Sequence, residues 1–301
     1  MRVVDQQGWA RAKRHVDIAG VSTGNVDIAS VSTGNVEIAS ADIAYVDIAG
    51  NVNPGEGPAL VLVHGFTDTS RSFSLMAPHL TGRRLIIPDL RGHGASPAGT
   101  RGLSPADFAA DIAGLIGALR LDRPVLVGHS LGSMVAIETA AAYPDLLGGL
   151  VVLAGTLRPD IGDDHPMVVG VGTLRDPISS ADPFYDYWHA CEAEVSPKFL
   201  DMAAREASAM PVALWRTILE EVRRTDLTAS ARALRVPTLI IGGGHDPLFD
   251  ATHQQRLRDE IPEAVFVSAD HCGHNPHWED PALVARTIAA HVAALAAPAV
   301  A

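Results

Sequence analysis

Short apolar runs alternate with longer stretches of helical composition over most of the chain. From about residue 59 onward, these runs have the length and the Val, Leu and Ile content of buried strands. They cover residues 61–63, 124–127, 150–153, 236–241 and 264–268. Residues 131–142 and 251–260 are helical in composition, and Ser104 and Asp107 are spaced as a capping box that opens a helix reaching about Arg120. The alternation predicts an α/β fold with a mostly parallel sheet.

The alternation stops between residues 157 and 232. This stretch holds short helical segments separated by prolines, and no strand pattern appears before Val236. The prolines are Pro159, Pro166, Pro177, Pro183, Pro197 and Pro211. The pattern predicts a helical cap inserted over residues 157–232, with the core of the fold divided between residues 51–156 and 233–301.

The N-terminal residues 1–50 are predicted to form an extension that contains a repeat and a leading β-hairpin. VDIAGVSTGN (16–25) recurs as VDIASVSTGN (26–35), and VEIAS, ADIAY and VDIAG follow. Each VDIA alternates apolar and polar residues as a strand does, and each STGN is a turn signal. The repeat could lengthen the hairpin, add strands at the sheet edge, remain mobile, or be a tandem duplication without function. Because edge strands can pair with another chain, a homo-oligomer is an open alternative.

Ser130 lies at the centre of Gly128-His-Ser-Leu-Gly132, between the apolar run 124–127 and the helical stretch 131–142. The two glycines allow the strand and helix backbones to approach closely, and the helix directs its N-terminus at the serine. G-x-S-x-G in this context is typical of a nucleophile elbow. The alternative is a glycine-bounded turn with an idle serine.

A nucleophilic serine needs a base, and the base needs an acid that orients it. Asp246 follows the apolar run 236–241 in the loop GGGHDP. His274 follows the run 264–268, with Gly273 before it and Pro276 after it. We therefore predict that His274 is the base and that the Asp246 carboxylate accepts a hydrogen bond from the Nδ1–H of His274.

Neighbouring residues compete for these roles, because Asp250 and Asp270 lie near the acid and His271 and His277 lie near the base. The three histidines at positions 271, 274 and 277 also raise the alternative of a metal site. Glycine and proline break this segment, so helical spacing does not align the rings on one face. We expect no metal here, and we expect His271 and His277 to be loop or rim residues.

Five segments resemble motifs of the α/β-hydrolase fold superfamily and occur in its order. They are ALVLVHGF (59–66), IIPDLRGHGAS (86–96), VLVGHSLGS (125–133), PTLIIGGGHDPLF (237–249) and GHNPHWEDP (273–281). The resemblance spans residues 59 to about 297 and is greatest to capped bacterial esterases and lactonases and to their cofactor-free perhydrolase relatives. It implies a mostly parallel eight-stranded sheet with helices on both faces and an inserted helical cap. Haloalkane dehalogenases and soluble epoxide hydrolases are similar in layout but use Asp where this chain has Ser130.

The resemblance also implies an oxyanion hole made by the backbone N–H groups of Phe66 and Leu131. Phe66 ends the segment His-Gly-Phe after the run 61–63, and Leu131 follows the serine. Asp89 and Arg91, in the loop DLRGHG, are interpreted as loop-anchoring residues rather than catalytic ones.

Aromatic residues are concentrated in the predicted cap. Most of them are expected to form the core of the cap, and one or two to line an apolar substrate pocket. These residues are Phe184, Tyr185, Tyr187, Trp188 and Trp215. The pocket candidates are His129, Tyr187, Trp188, His189, Met210 and Trp215.

Composition restricts the partners and the location that are expected. The 301 residues are 47% hydrophobic, enough for a large core, and their formal net charge of −12 disfavours nucleic acid and anionic membranes. No apolar run is long enough to span a bilayer, and the N-terminus has no apolar core of a signal peptide. Only two cysteines occur, Cys191 and Cys272, so a reducing cytoplasm is the simpler setting.

Together these features predict a cytoplasmic, cofactor-free serine hydrolase that cleaves a small, largely apolar carboxylic ester or lactone. The alternatives are a cofactor-free perhydrolase, a hydrolase of C–C bonds in vinylogous diketones, and a non-catalytic ligand receptor.

Overall fold

The computed structural model describes residues 6–18, 41–49 and 57–295. Its strands are β1 (Lys13–Asp17), β2 (Asp42–Ile48), β3 (Leu60–Val63), β4 (Leu85–Pro88), β5 (Val125–His129), β6 (Gly149–Leu153), β7 (Thr238–Gly243) and β8 (Val265–Ala269). Its α-helices are α1 (Pro105–Ala118), α2 (Leu131–Ala142), α3 (Pro166–Thr173), α4 (Phe184–Trp188), α5 (Pro197–Ser208), α6 (Val212–Arg224), α7 (Thr228–Arg232), α8 (Ala251–Glu260), α9 (Pro276–Glu279) and α10 (Pro281–Leu295).

The eight described strands form one sheet in the order β1-β2-β4-β3-β5-β6-β7-β8. Strand β2 runs antiparallel to β1 and β4, and all other neighbours are parallel. Parallel strands direct their carboxyl ends toward one edge, where ligands of such sheets bind. The segments after β3, β5, β7 and β8, which carry Phe66, Ser130, Asp246 and His274, therefore meet at the same edge.

Both faces of the central strands are covered by helices. On β3, Val61 and Val63 pack in the apolar cluster that contains buried residues of α1 and α2. The alternate residues Leu60 and Leu62 pack in a second cluster with buried residues of α10. Four fully apolar positions in a row are the pattern of a strand buried on both faces. The predicted α/β class is thus confirmed, as are the mostly parallel eight-stranded sheet and the helices on both faces.

Helices α3–α7 occupy the stretch between β6 and β7, where the cap was predicted, and this stretch contains no strand. Buried residues of these helices, including Trp215 and Ile218, belong to the same apolar cluster as the α1 and α2 side of the sheet. The division of the chain into separate core and cap units stays a prediction.

The leading hairpin is formed by β1 and β2. Asp17 lies opposite Asp42, and Ile18 N–H donates to the Ala41 carbonyl at 3.0 Å. The unit ADIAY and the start of VDIAG provide Ala41 and β2, whereas repeat residues 19–40 lie outside the described residues.

Removal of residues 21–40 should leave the chemistry intact. The deletion joins the paired residues Ile18 and Ala41 through Ala19 and Gly20, a two-residue connection of the length that closes hairpins most often. We expect kcat to stay within about threefold of the wild type. The solubility, the melting temperature or the oligomer size of the deletion variant is the property expected to fall, because the deleted VDIA units carry apolar residues. A monodisperse deletion variant with kcat reduced a hundredfold would contradict this expectation.

Candidate active site

Ser130 occupies a sharp turn between β5 and α2. Its φ of 51° and ψ of −117° are rare for a residue with a side chain, and its N–H donates to the Leu153 carbonyl at 3.0 Å. A Cβ at Gly128 would lie 2.0 Å from the Gly132 carbonyl oxygen, and a Cβ at Gly132 would lie 2.2 Å from that of Val63. The turn therefore needs glycine on both sides of the strained serine.

Gly132→Ala should destabilise the fold, because the new methyl group meets rigid backbone on β3. We expect a loss of about 3 kcal/mol, and a melting temperature about 6 °C lower or more. Gly172→Ala in α3 is the matched control, because a Cβ there meets nothing within 4 Å and should stabilise the helix by up to about 1 kcal/mol. Equal melting temperatures for the two variants would contradict the close packing inferred at the turn.

Ser130, His274 and Asp246 are joined by two hydrogen bonds. His274 Nε2 lies 3.0 Å from Ser130 Oγ, and His274 Nδ1 lies 2.9 Å from Asp246 Oδ2. The other carboxylate oxygen of Asp246 accepts the N–H groups of Leu248 and Phe249, each at 2.9 Å. Burial favours the neutral acid, but His274 and these N–H groups outweigh it and hold the pKa of Asp246 below its ordinary value.

Phe66 and Leu131 are placed at the same edge, in the segments that follow β3 and β5. Among the described residues, neither backbone N–H has an intramolecular acceptor. The loop before Phe66 is fixed by His64, whose Nδ1 bonds to the Gly65 carbonyl at 2.8 Å and whose Nε2 accepts Leu90 N–H at 2.9 Å. Two unpaired N–H groups beside a serine can bind a developing oxyanion.

A cavity of about 420 Å³ opens over Ser130 and His274. Four of the predicted pocket residues line it, namely His129, Tyr187, Trp188 and His189. Trp188 also donates its indole N–H to Thr67 Oγ1 at 2.8 Å, which ties α4 to the loop after β3.

Met210 and Trp215 do not line this cavity, and their assignment as pocket residues is corrected. Both are buried in the main apolar cluster. The Trp215 ring packs edge-on against Phe66, with ring centroids 5.7 Å apart, and also contacts Phe184 and Tyr185. Trp215 therefore supports the cavity-lining residue Phe66 from behind.

The histidines flanking His274 lie apart from each other. His271 is exposed and contacts Asp280 at 3.1 Å. The expectation that His277 is a loop or rim residue is wrong, because it is fully buried in α9 and its Nε2 lies 2.9 Å from Ser72 Oγ. Within the described residues, no group of three or more His, Cys, Asp or Glu side chains is arranged to hold a metal.

Asp68 is a cavity residue that the sequence reasoning missed. It lies two residues after Phe66, and its Oδ2 accepts the Ser72 hydroxyl at 2.9 Å. Burial raises the pKa of Asp68 to about 7, although the Ser72 hydrogen bond and His274 act in the opposite direction. Its position in the same loop as Phe66 was the available signal.

Glu279 was also missed, and it joins the segment between α4 and α5 to the loop of His274. Its carboxylate accepts the N–H groups of Glu192 and Ala193 in that segment, each at 3.0 Å. It also accepts the N–H groups of Gly273 and Asn275, which flank His274. One buried side chain therefore fixes the two segments relative to each other.

A second link between helices α3–α7 and the rest of the fold involves Arg71. Its guanidinium makes two bonds to Glu206 of α5, at 2.8 and 2.6 Å, and Thr69 Oγ1 donates to the same carboxylate. The pair is largely buried, so solvent screens it little. The segment that carries Phe66 and Asp68 is thus fixed to α5.

The loop DLRGHG is held by ionic contacts away from the cavity. Asp89 is buried and contacts Lys13 Nζ at 2.6 Å, while accepting the N–H groups of Ser70 and Ala95. Arg91 pairs with Asp111 at 2.8 Å. These contacts anchor the chain, as expected for Asp89 and Arg91.

No helix in the described part of the chain combines the length and the apolar character needed to span a bilayer.

Comparison with known proteins identifies the family. The model of a family described as "Alpha/beta hydrolase family" matches residues 60–287. A 2-(acetamidomethylene)succinate hydrolase of Mesorhizobium japonicum is 30% identical over 236 residues, 72% of this chain and 82% of that protein. A pyrrolizixenacetamide deacetylase of Xenorhabdus hominickii is 30% identical over 241 residues, 75% of this chain and 88% of the relative.

The fold has close counterparts among solved structures. A thermophilic esterase from Thermogutta terrifontis superposes with a TM-score of 0.74 at 24% identity, covering 94% of this chain and 100% of the esterase. From the matched family model and these relatives, the chain belongs to the alpha/beta hydrolase family.

Proposed function

We propose that the chain is a serine hydrolase that cleaves a carboxylic ester or lactone of a small, neutral and largely apolar substrate. The observation that carries the proposal is the hydrogen-bonded series Asp246–His274–Ser130, with distances of 2.9 and 3.0 Å, whose members His274 and Ser130 line the cavity. A hydroxyl, a base within reach of it and an oriented acid are the requirements for nucleophilic acyl transfer.

In the proposed mechanism, His274 Nε2 takes the Ser130 proton as Oγ attacks the substrate carbonyl. The oxyanion accepts hydrogen bonds from the N–H groups of Phe66 and Leu131, each worth about 2.7–4 kcal/mol of barrier in related cases. The imidazolium of His274 then protonates the leaving alkoxide. In the second half, His274 removes a proton from water, which attacks the acyl-enzyme and releases the acid and Ser130. Asp246 holds the His274 ring and stabilises its charged form throughout.

The cavity favours neutral, moderately apolar substrates. Its volume of about 420 Å³ accommodates a small ester, and its lining includes Trp188, Leu248 and Trp278. The described lining holds the carboxyl of Asp68 and no lysine or arginine, so it offers no permanently charged cation to a substrate carboxylate. A substituted succinate, the substrate named for the Mesorhizobium relative, is therefore disfavoured here.

The test is turnover of p-nitrophenyl esters from acetate to dodecanoate and of lactones of increasing ring size, with the Ser130→Ala variant as background. We expect ester turnover that is greatest for short acyl chains. Because both curated relatives have an acetamido or acetamide group in their names, p-nitroacetanilide is the matched amide. Faster cleavage of the amide than of p-nitrophenyl acetate would overturn the proposed bond class. Turnover no greater than that of Ser130→Ala across the whole panel would overturn the proposal.

Activity should survive exhaustive treatment with EDTA. The proposed nucleophile, base, acid and oxyanion donors all come from the protein, so the mechanism needs no Lewis acid. The measurement is the rate of ester cleavage before and after chelation, with dialysis into chelator-free buffer as the control. Loss of the rate, with recovery on adding Zn²⁺, would contradict this expectation.

A further inference from the structure

Asn275 directly follows the proposed base and has a side-chain amide without a partner. It precedes α9 at the position where an asparagine oxygen usually accepts an N–H of the first turn, yet this side chain forms no capping bond. The backbone carbonyl of Asn275 accepts the N–H groups of Trp278 and Glu279 instead, at 2.8 and 3.0 Å. Among the described residues, nothing donates to the amide oxygen of Asn275 and nothing accepts from its amide nitrogen.

The unpaired amide faces the cavity. Asn275 is only 6% exposed, and it lines the cavity. Polar atoms that are both enclosed and unpaired occur in several described side chains, but the amide of Asn275 is not among them. Since the amide is unpaired and not enclosed, its oxygen and nitrogen reach accessible surface, which Asn275 has at the cavity. A group that enters the cavity can therefore bind to both atoms.

The chemistry of the amide and of its surroundings favours a neutral partner. Burial lowers the pKa of His189 to about 4 and that of His129 to about 3, so both of these cavity rings are uncharged at physiological pH. An amide carries donors on its nitrogen and an acceptor on its oxygen. A carboxylate only accepts and an ammonium only donates, whereas a hydroxyl or a carboxamide does both. Such a group is the full complement of the Asn275 side chain.

The position of Asn275 relates this amide to the reacting ester. It is the next residue after His274, whose Nε2 lies 3.0 Å from Ser130 Oγ. We propose that the Asn275 amide is a specificity-determining group, which binds a hydroxyl or carboxamide that the substrate carries near its scissile carbonyl. An apolar substituent in the same place would remove water from the amide without replacing its hydrogen bonds. The inference rests on the proposed function and restricts its substrates to esters or lactones with such a group.

The test uses pairs of esters in which a methyl group replaces a hydroxyl. Two pairs place the difference in the acyl part: methyl 2-hydroxypropanoate with methyl 2-methylpropanoate, and methyl 3-hydroxybutanoate with methyl 3-methylbutanoate. Two pairs place it in the alcohol part: 2-hydroxyethyl acetate with propyl acetate, and 3-hydroxypropyl acetate with butyl acetate. Each chiral ester is measured as both enantiomers.

The comparison with Asn275→Leu removes the effect of intrinsic reactivity, because a hydroxyl also changes how readily an ester is cleaved. The measured quantity is the kcat/KM ratio within a pair for the wild type, divided by the same ratio for Asn275→Leu. We expect this quotient to be about ten or more for at least one pair, and the pair concerned locates the amide relative to the carbonyl. Asn275→Ala also removes the amide and serves if Asn275→Leu does not fold.

Leu248→Ala is the matched control. Leu248 lines the same cavity, and its substitution changes the apolar lining while the Asn275 amide stays in place. The ratios within the pairs should equal those of the wild type, whatever happens to the absolute rates. Because the amide has no partner within the described protein, Asn275→Ala should also keep its melting temperature within about 3 °C of the wild type.

A quotient near one for every pair, or an equal loss of preference in Leu248→Ala, would overturn the role of Asn275. Binding of the same esters to Ser130→Ala, followed by saturation-transfer NMR, separates this failure from failure of the proposed function. If the hydroxyl member binds more tightly, loses this advantage when Asn275→Leu is added, and is not turned over by the wild type, the role of Asn275 is supported and the hydrolase proposal is overturned. Turnover with a quotient near one would overturn the role of Asn275 alone.

Discussion

Ser130→Ala is expected to lower kcat on carboxylic esters by about 10⁴-fold or more. The hydrogen bond of Oγ to His274 Nε2 is its contact with the proposed base, and the hydroxyl does not cap α2. Alanine therefore removes the nucleophile while the turn keeps its glycines and its hydrogen bond to Leu153. The measurement is kcat on p-nitrophenyl acetate, with the melting temperature as the check that the fold is intact.

Covalent labelling gives an independent readout of the same position. A fluorophosphonate should modify Ser130 in the wild type and leave Ser130→Ala unlabelled. Labelling of any other serine, or more than about a tenth of wild-type activity in the variant, would show that Ser130 is not the nucleophile.

Asp246→Asn should lower kcat by about 10⁴-fold through the tautomer of His274. The N–H groups of Leu248 and Phe249 require an acceptor at the position of Oδ1, so the amide oxygen of asparagine occupies it. The amide NH₂ then faces His274 Nδ1, which must present its lone pair. The ring proton moves to Nε2, and the base can no longer take the Ser130 proton.

The control for this variant is Asp250→Asn, four residues along the same segment. Asp250 caps α8 by accepting the N–H groups of Thr252 and His253, a role that asparagine fills equally well. Its kcat and melting temperature should match those of the wild type. If Asp246→Asn keeps more than about a tenth of wild-type kcat, Asp246 does not orient His274.

Much of the sheet and of the site could be predicted because each depends on local signals. Apolar runs predicted the parallel strands β3, β5, β6, β7 and β8, but not β4. Gly128 and Gly132 indicated a tight turn, and a Cβ at either position would indeed meet backbone atoms. Phe66, Ser130, Asp246 and His274 each follow a strand, and parallel strands end at a common edge. Their catalytic roles stay proposals until the variants are measured.

The remaining residues depend on packing between segments that are distant in the sequence. His277 was assigned to a loop or rim because glycine and proline break its own segment, yet its partner Ser72 comes from a short 3-10 helix 205 positions earlier. Trp215 is a typical pocket residue by composition, but it packs behind Phe66. Asp68 was missed although it lies in the same loop as Phe66, because its approach to within 3.9 Å of His129 Nδ1 depends on packing between distant segments.

The carboxylate of Glu279 has a consequence for exchanging parts between family members. It binds Glu192 and Ala193 on one side and the backbone around His274 on the other, so the two segments share one set of acceptor atoms. A segment grafted from a relative between α4 and α5 would have to present two backbone N–H groups at the same place. Otherwise part of this buried carboxylate would lack hydrogen-bond donors beside His274. A chimera whose recombination point lies between residues 193 and 279 would therefore disturb the position of His274 as well as the substrate preference. A chimera that takes both segments from one parent would keep His274 in place.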